Sequence, residues 1–119
     1  MEHLFYITRE AGCLPFMFPE SQLLTGDDDE ALDGSEAKIL MSDVGPIGYI
    51  VVDQDDKGQN ILFLEVDPHL RNRGLASTLL QRFVRADIPS WTYPIDDVAR
   101  AFFNKVKEDF LPRLTIQEE

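Results

Sequence analysis

A strand that ends at a proline and continues through an arginine-rich loop into a glycine-led helix constrains this chain most. The segment spans Val66–Leu80, with Pro68 after the strand, Arg71 and Arg73 in the loop and Gly74 at the helix start. The first turn of a helix leaves N–H groups unpaired and carries a partial positive charge. Glycine lets a phosphate approach the backbone, and arginine adds forked cationic donors. The segment therefore predicts an anion site at a strand–loop–helix junction.

Apolar runs separated by turn signals predict an antiparallel meander upstream of this segment. The expected strands are Ala37–Asp43, Ile47–Asp53 and Asn60–Val66, with turns at Gly45–Pro46 and Asp55–Gly58. Further strands are expected at His3–Thr8, Ile88–Tyr93 and Leu114–Ile116.

Helical spacing predicts two long helices in the second half of the chain. The first is expected over Gly74–Ala86, with a stripe of Leu75, Leu79 and Phe83. The second begins after an Asp96 N-cap, ends before Pro112 and is expected to bury Val98, Phe102 and Val106. The order of elements predicts an α/β fold whose mostly antiparallel sheet is flanked by helices. Parallel pairing is expected between the strands before and after the first long helix.

Length and composition indicate one domain. With 119 residues, 44% of them apolar, residues 1–119 can form one core but not two. We expect an acidic N-terminal segment at residues 1–36 and a core motif region at residues 37–107. No run approaches the ~20 apolar residues of a membrane span. The N-terminus has no basic start typical of a signal peptide, and the single cysteine, Cys13, forms no internal disulfide. These features predict a cytoplasmic protein.

The charge distribution separates an acidic part from a basic part. A net charge of −11 argues against direct nucleic-acid binding, which needs clustered Lys and Arg. Residues 1–36 hold nine acids and one base, whereas residues 68–86 hold four arginines and no acid. The basic stretch is a candidate anion site or an ordinary solvated helix face, and the acidic surface favours a cationic partner.

No metal site is predicted. Asp53, Asp55 and Gly58 suggest a calcium loop, but Leu64 occupies the twelfth position, where a bidentate Glu is needed. The two histidines, His3 and His69, lack metal-ligand spacing.

The glycine-led segment resembles the acetyl-CoA signature of the Gcn5-related N-acetyltransferases, Gln/Arg-x-x-Gly-x-Gly/Ala. It is matched here by Arg71-Asn72-Arg73-Gly74-Leu75-Ala76, between Val66-x-Pro68 and Leu79-Leu80. Residues 99–105 are similar to the family's pattern Ala-x-x-hydrophobic-Tyr-x-Lys on its second helix. The resemblance covers roughly residues 37–107.

The resemblance implies an N-acetyltransferase that moves an acetyl group from acetyl-CoA to a primary amine by direct transfer in a ternary complex. Main-chain groups near the end of the third meander strand would hold the pantetheine arm, and N–H groups of the glycine-led loop would hold the pyrophosphate. The implied cofactor-binding residues are Leu64, Val66, Arg71, Asn72, Arg73, Gly74, Leu75, Ala76 and Ser77. The resemblance also implies that the pantetheine arm lies where the strands before and after the first helix splay apart. Arg82 or Arg85 could reach the 3′-phosphate.

Two candidate catalytic residues follow. Glu65 is the candidate base, since its neighbours Phe63, Leu64 and Val66 would favour proton acceptance near neutral pH. The alternative is that Glu65 faces outward on an alternating strand. The family's tyrosine acid falls on Phe103, which has no proton to donate, and Tyr93 is the candidate substitute.

The acceptor is less well indicated. The family usually has more helix after the first strand and two strands after the second helix, so the acceptor site here is shallow or completed by a second subunit in a homodimer. Five acids, Asp27, Asp28, Asp29, Glu30 and Asp33, would attract a cationic amine such as a protein lysine or polyamine, or form a solubilising loop. Phe103 also favours an alternative, a catalytically weak binding or regulatory protein that docks on a basic partner. Mimicry of nucleic acid by the acidic segment is a third interpretation.

Overall fold

Six strands of the described residues form one sheet, and their order in the sheet is their order in the chain. The computed structural model describes residues 3–10, 35–70 and 74–117. The strands are β1 (Phe5–Glu10), β2 (Glu36–Ser42), β3 (Gly45–Asp55), β4 (Gly58–Val66), β5 (Ser90–Thr92) and β6 (Leu114–Ile116). Strands β1 to β4 pair antiparallel, whereas β5 pairs parallel with β4 and β6 parallel with β5. The mixed sheet and the parallel pairing across the first helix are both confirmed.

Two helices complete the described fold, α1 (Leu75–Phe83) and α2 (Asp97–Asp109). Helix α1 packs on β3 and β4 and buries Leu79 and Leu80 completely. Burying a leucine side chain contributes roughly 1.5–3 kcal/mol. The core on this side of the sheet continues through Val84 and the α2 residues Phe103 and Val106. Leu79 of α1 and Val66, the last residue of β4, meet over Gly48, where a built Cβ would lie 3.3 Å from Leu79 and 3.4 Å from Val66.

Helix α2 begins as predicted but presents a different face to the core. The Asp96 carboxylate accepts a hydrogen bond from the Ala99 N–H at 2.7 Å, which confirms the N-cap. The buried residues are Ala99, Phe103 and Val106. The predicted stripe is therefore wrong at Val98, whose side chain is 72% exposed, and at Phe102, which is only partly buried. Both stripes have helical spacing, and contact with the sheet selects between them.

Several predicted boundaries are shifted. The first strand lies at Phe5–Glu10, not His3–Thr8, because it pairs residue by residue with β2. Gly45 and Pro46 begin β3, and the turn lies at residues 43–44. Strand β5 keeps only three residues of Ile88–Tyr93, since only these pair with both neighbours. Helix α1 is nine residues long, shorter than Gly74–Ala86, and Val84 at its C-cap is extended. The predictions for Cys13 and for the acids of residues 27–33 concern residues outside the described part of the chain.

The hairpin between β3 and β4 contains a β-bulge that sets which side chains meet. Asp55 opposes Gly58, and its carboxylate accepts hydrogen bonds from the N–H groups of Lys57 and Gly58 at 2.7 and 3.1 Å. The register shifts by one residue where Val52 opposes Ile61 and Val51 opposes Phe63. Leu62 is thus an extra residue in β4.

Within the described residues, no helix is long and apolar enough to cross a membrane.

Candidate cofactor-binding and active site

Strands β4 and β5 pair over a short stretch and then separate. Their parallel pairing covers Gln59–Ile61 of β4 and all three residues of β5. In the described part of the chain, the rest of β4, from Leu62 to Val66, continues beyond this pairing. This part of β4 is paired on one side with β3, and we call its other side the open edge. The predicted splay between these strands is confirmed.

The direction of the main-chain groups at the open edge follows from the antiparallel pairing. The Asp67 N–H donates to the Ile47 carbonyl at 2.9 Å, so the groups of Asp67 point towards β3. Main-chain groups alternate in direction along a strand. Glu65, two residues earlier, therefore also turns its main-chain groups towards β3. Leu64 and Val66 turn theirs towards the open edge, where they can pair with an extended ligand.

The other end of the β4–β5 pairing is held tightly. The Gln59 N–H donates to the Pro89 carbonyl at 3.0 Å. A Cβ on Gly58 would lie only 2.4 Å from that carbonyl oxygen, so a side chain is excluded there. At the point of separation, the Thr92 hydroxyl lies 3.3 Å from the Ile61 carbonyl and donates to it. Close contact thus holds the two strands together at one end, and no pairing between them is described beyond Ile61 and Thr92.

Helix α1, the next α-helix in the chain after β4, starts at a glycine. Gly74 is its N-cap, with a left-handed φ of 76°, and makes no side-chain cap hydrogen bond. A Cβ built on Gly74 would meet no atom within 4 Å among the residues that the structure describes, its two chain neighbours aside. Within the described residues, the first helical hydrogen bond runs from the Thr78 N–H to the Gly74 carbonyl. The N–H groups of the three residues before Thr78 lie in the first turn, where the helix itself supplies no acceptor. These donors belong to Leu75, Ala76 and Ser77.

Glu65 lies buried on the sheet face opposite α1. Its side chain is 5% exposed, so the outward-facing alternative is wrong. Tyr49, directly opposite on β3 and 4% exposed, donates a short hydrogen bond from its hydroxyl to the Glu65 carboxylate Oε2. Burial, and then the hydrogen bond to Glu65 and its charge, raise the pKa of the Tyr49 phenol well above its ordinary value. Tyr49 therefore keeps its own proton.

Tyr49 was missed by the sequence reasoning. An unbroken register from the Asp55–Gly58 hairpin would place Leu64 opposite Tyr49. The bulge at Leu62 moves Glu65 into that position. A β-bulge has no reliable signal in a run of apolar residues such as Ile61–Leu64, so the pairing could not be found from the sequence.

The other predicted residues are dispersed. Tyr93 is half-buried, one residue after the end of β5. Phe103 is fully buried in the core, so α2 offers no proton donor at this position. The Arg82 guanidinium lies 4.6 Å from the centre of the Tyr6 ring, and Arg85 pairs with Asp87 at 2.7 Å. Each arginine therefore has a contact of its own in this structure, and a role at the 3′-phosphate stays a prediction. Arg71, Asn72 and Arg73 lie outside the described residues.

The resemblance implies an antiparallel meander that a helix joins to a parallel strand, with a glycine at the start of that helix. The described elements have this arrangement. The fold is like that of the Gcn5-related N-acetyltransferases.

Two solved structures are similar to this chain. One is N-acetylglutamate synthase from Neisseria gonorrhoeae, solved with coenzyme A and N-acetyl-glutamate, at 19% identity and a TM-score of 0.44. The alignment covers 82% of this chain and 23% of that chain. The other is the aminoglycoside N-acetyltransferase AAC(6')-Iy with CoA, at 14% identity and a TM-score of 0.44. This alignment covers 100% of this chain and 78% of that chain. No family model and no curated protein sequence matches the chain.

Proposed function

We propose that this protein is an N-acetyltransferase that transfers the acetyl group of acetyl-CoA to a primary amine, directly within a ternary complex. The observation that carries the proposal is the open edge of β4 beside the glycine-led start of α1. An extended ligand with an anionic end needs main-chain partners along its length and N–H donors at that end. These two features supply both.

The residues present fit coenzyme A. Leu64 and Val66 direct main-chain groups to the open edge, where they would pair with the amides of the pantetheine arm. The N–H groups of Leu75, Ala76 and Ser77 would hold the pyrophosphate, with the helix dipole adding to the attraction. The open space around Gly74 leaves room for a phosphate at the backbone. Arg71 and Arg73 precede Gly74 in the sequence and carry full positive charges for the same anion.

Bound acetyl-CoA would supply a thioester whose carbonyl carbon is attacked by the neutral amine. Glu65 accepts the amine proton, and because its side chain is nearly buried, the proton passes through a water molecule. Tyr93, just beyond β5, is the candidate donor to the leaving thiolate, and water is the alternative donor. The ammonium group loses one proton to solvent before attack. The C–N bond then forms and the C–S bond breaks, the attacking nitrogen loses a second proton to Glu65 through the water, and sulfur gains one from Tyr93 or water, so each turnover releases one proton overall.

The acceptor class follows from charge. The protein carries a net charge of −11, and its N-terminal 36 residues are strongly acidic. A protein lysine, a polyamine or another small cationic amine would be attracted to this charge. The dependence of KM on salt is therefore part of the proposal: KM for a cationic acceptor rises with ionic strength, because screening weakens the attraction.

A second candidate is a binding protein that holds a CoA and docks on a basic partner without turnover. One observation favours it. Phe103 is fully buried where the resemblance expects a tyrosine acid.

Calorimetric titration with acetyl-CoA, followed by mass spectrometry of an amine panel, separates these candidates. Binding with acetylation supports the enzyme, binding without acetylation supports the binding protein, and no binding at near-millimolar acetyl-CoA contradicts the enzyme and leaves only a binding protein that holds no CoA. We expect Gly74→Ala to weaken acetyl-CoA binding about tenfold or more, because a Cβ would enter the space proposed for phosphate. Gly45→Ala is the control, since Gly45 also has a positive φ (134°) and open space but lies at the start of β3.

The base is tested by Glu65→Gln, which keeps the size of the side chain and cannot accept the proton. We expect acetylation to fall about 10²–10⁴-fold with acetyl-CoA affinity unchanged. Unchanged acetylation in this variant contradicts the role of Glu65 alone and leaves the cofactor assignment in place.

A further inference from the structure

The Glu65–Tyr49 pair is a buried polar contact in a mostly apolar surface of the sheet. The two residues oppose each other on neighbouring strands, and the Tyr49 hydroxyl donates to Oε2 of Glu65. Both side chains are at least 95% buried. A carboxylate in such surroundings loses hydration, and a donated hydrogen bond compensates by favouring the charged form.

The neighbours of the pair on the same sheet face are mostly apolar. Ile39 lies opposite Tyr49 on β2, and Ile7 lies opposite Ile39 on β1. The adjacent row holds Phe63, Val51 and Ala37, all buried.

Few titratable or charged groups are described near Glu65 apart from Tyr49. By strand alternation, Asp67 follows on the same face, and its carboxylate accepts a hydrogen bond from the His69 N–H at 2.9 Å. Arg9 lies on this face at the far side of the sheet, opposite Ala37 on edge strand β1. On the β5 side, Tyr93 is the titratable group that follows the strand. Tyr49 is thus the group whose direct contact with the Glu65 carboxylate the structure describes.

We propose that Tyr49 is a positioning residue that keeps the Glu65 carboxylate ionised and oriented for proton acceptance. The proposal rests on the proposed acetyl transfer, in which Glu65 is the base. The phenol donates its hydrogen bond and keeps its own proton, so Tyr49 exchanges no proton in the reaction. Its contribution is electrostatic: removing the donor makes the ionised carboxylate less favourable, and Glu65 then binds its proton at a higher pH.

The ionisation is measured without any reference to activity. The full chain is labelled with ¹³C at the glutamate δ-carboxyl carbons, and Glu65 is assigned by the signal that disappears in Glu65→Gln. We expect Tyr49→Phe to move the titration midpoint of the Glu65 carboxyl upward by about one pH unit, the usual size of such an effect. Tyr6→Phe is the matched control, because it removes a phenol hydroxyl from the opposite face of the sheet, where Tyr6 packs on Phe83. An unchanged or lowered midpoint in Tyr49→Phe overturns the proposal.

A second modification covers the case in which Tyr49→Phe does not fold. Incorporation of 3-fluorotyrosine in a Tyr6→Phe, Tyr93→Phe background labels residue 49 alone, keeps its shape and makes its phenol a stronger donor. The Glu65 midpoint should then move downward, and an upward or absent shift contradicts the proposal.

Turnover separates this proposal from the proposed function. If the protein acetylates an amine, the acidic limb of the pH profile of kcat/KM should move upward in Tyr49→Phe by the same interval as the carboxyl midpoint. A limb that stays in place while the midpoint moves overturns the positioning role. If the wild-type protein acetylates no amine, the proposed function and the base role fail together, and the carboxyl titration still decides whether Tyr49 keeps Glu65 ionised.

Discussion

At the residue scale, Gly58 controls how closely β4 approaches the segment before β5. Its φ of 149° disfavours any side chain, and a Cβ would lie 2.4 Å from the Pro89 carbonyl oxygen and 2.9 Å from the Trp91 ring. The contact is with the backbone, which cannot rotate away as the end of a side chain can. Glycine at this position therefore allows the tight pairing from which the open edge diverges.

We expect Gly58→Ala to destabilise the protein by roughly 3 kcal/mol, from backbone strain and overpacking together. The comparison is Gly45→Ala, which has a similar φ of 134° but no atom within 4 Å of the new Cβ. Gly45→Ala should lower the free energy of unfolding by about 1 kcal/mol, from backbone strain alone. Urea unfolding of both variants measures the difference. Equal losses in the two proteins would show that close contact at Gly58 does not matter for stability.

At the scale of elements, a local signal determines where α2 begins, and a tertiary contact determines which of its faces is buried. The Asp96 cap sets where the helix begins, since its carboxylate satisfies the Ala99 N–H at 2.7 Å. The same helix carries two stripes of suitable spacing, one through Val98 and one through Phe103, and only the second contacts the core. The start is a local property, whereas the rotation of the helix about its axis depends on the sheet.

Removing the cap should have a measurable and local effect. Asp96→Ala is expected to lower the free energy of unfolding by about 1 kcal/mol, because the Ala99 N–H loses its acceptor. Asp97→Ala is the neighbouring control. Its side chain is fully exposed, and its ion pair with Arg100 at 3.3 Å should contribute less than about 0.5 kcal/mol. Thermal and urea unfolding followed by circular dichroism would test this, and a larger loss in Asp97→Ala would contradict the assigned cap.

At the scale of the whole molecule, the Tyr49–Glu65 pair connects folding to pH. The pKa of Tyr49 is raised above its ordinary value of 10.0, first by burial and then by Glu65. The folded protein therefore keeps a proton that the unfolded chain releases above about pH 10. Stability from this group is fully present below that pH and is lost as pH rises further, because unfolding then releases a proton.

We expect the free energy of unfolding to fall above about pH 10, by up to about 1.4 kcal/mol per pH unit from this one group. In Tyr49→Phe that slope should be absent, even though the variant also loses a hydrogen bond at neutral pH. Urea unfolding at intervals between pH 8 and 11 gives the slope for both proteins, with Tyr6→Phe as a second reference. Parallel slopes for wild type and Tyr49→Phe would mean that the phenol is not protected by the fold.

The sequence by itself determined the fold class, most of the elements and the strand–loop–helix junction. Turn residues, apolar periodicity and the Asp96 cap are local signals, and they act through neighbours a few residues apart. The glycine-led start of α1 belongs to the same class, because a left-handed residue at a helix start is a local requirement met by Gly74.

Only the tertiary structure decided which side chains of β3 and β4 meet and how much of β4 stays open. One extra residue at Leu62 shifts the register and brings Tyr49 opposite Glu65, and the length of β5 determines how much of β4 stays open. Packing against the sheet likewise turned Phe103 into the core and Val98 into solvent. These outcomes depend on contacts between residues far apart in the chain, where a shift of one position exchanges one facing pair for another.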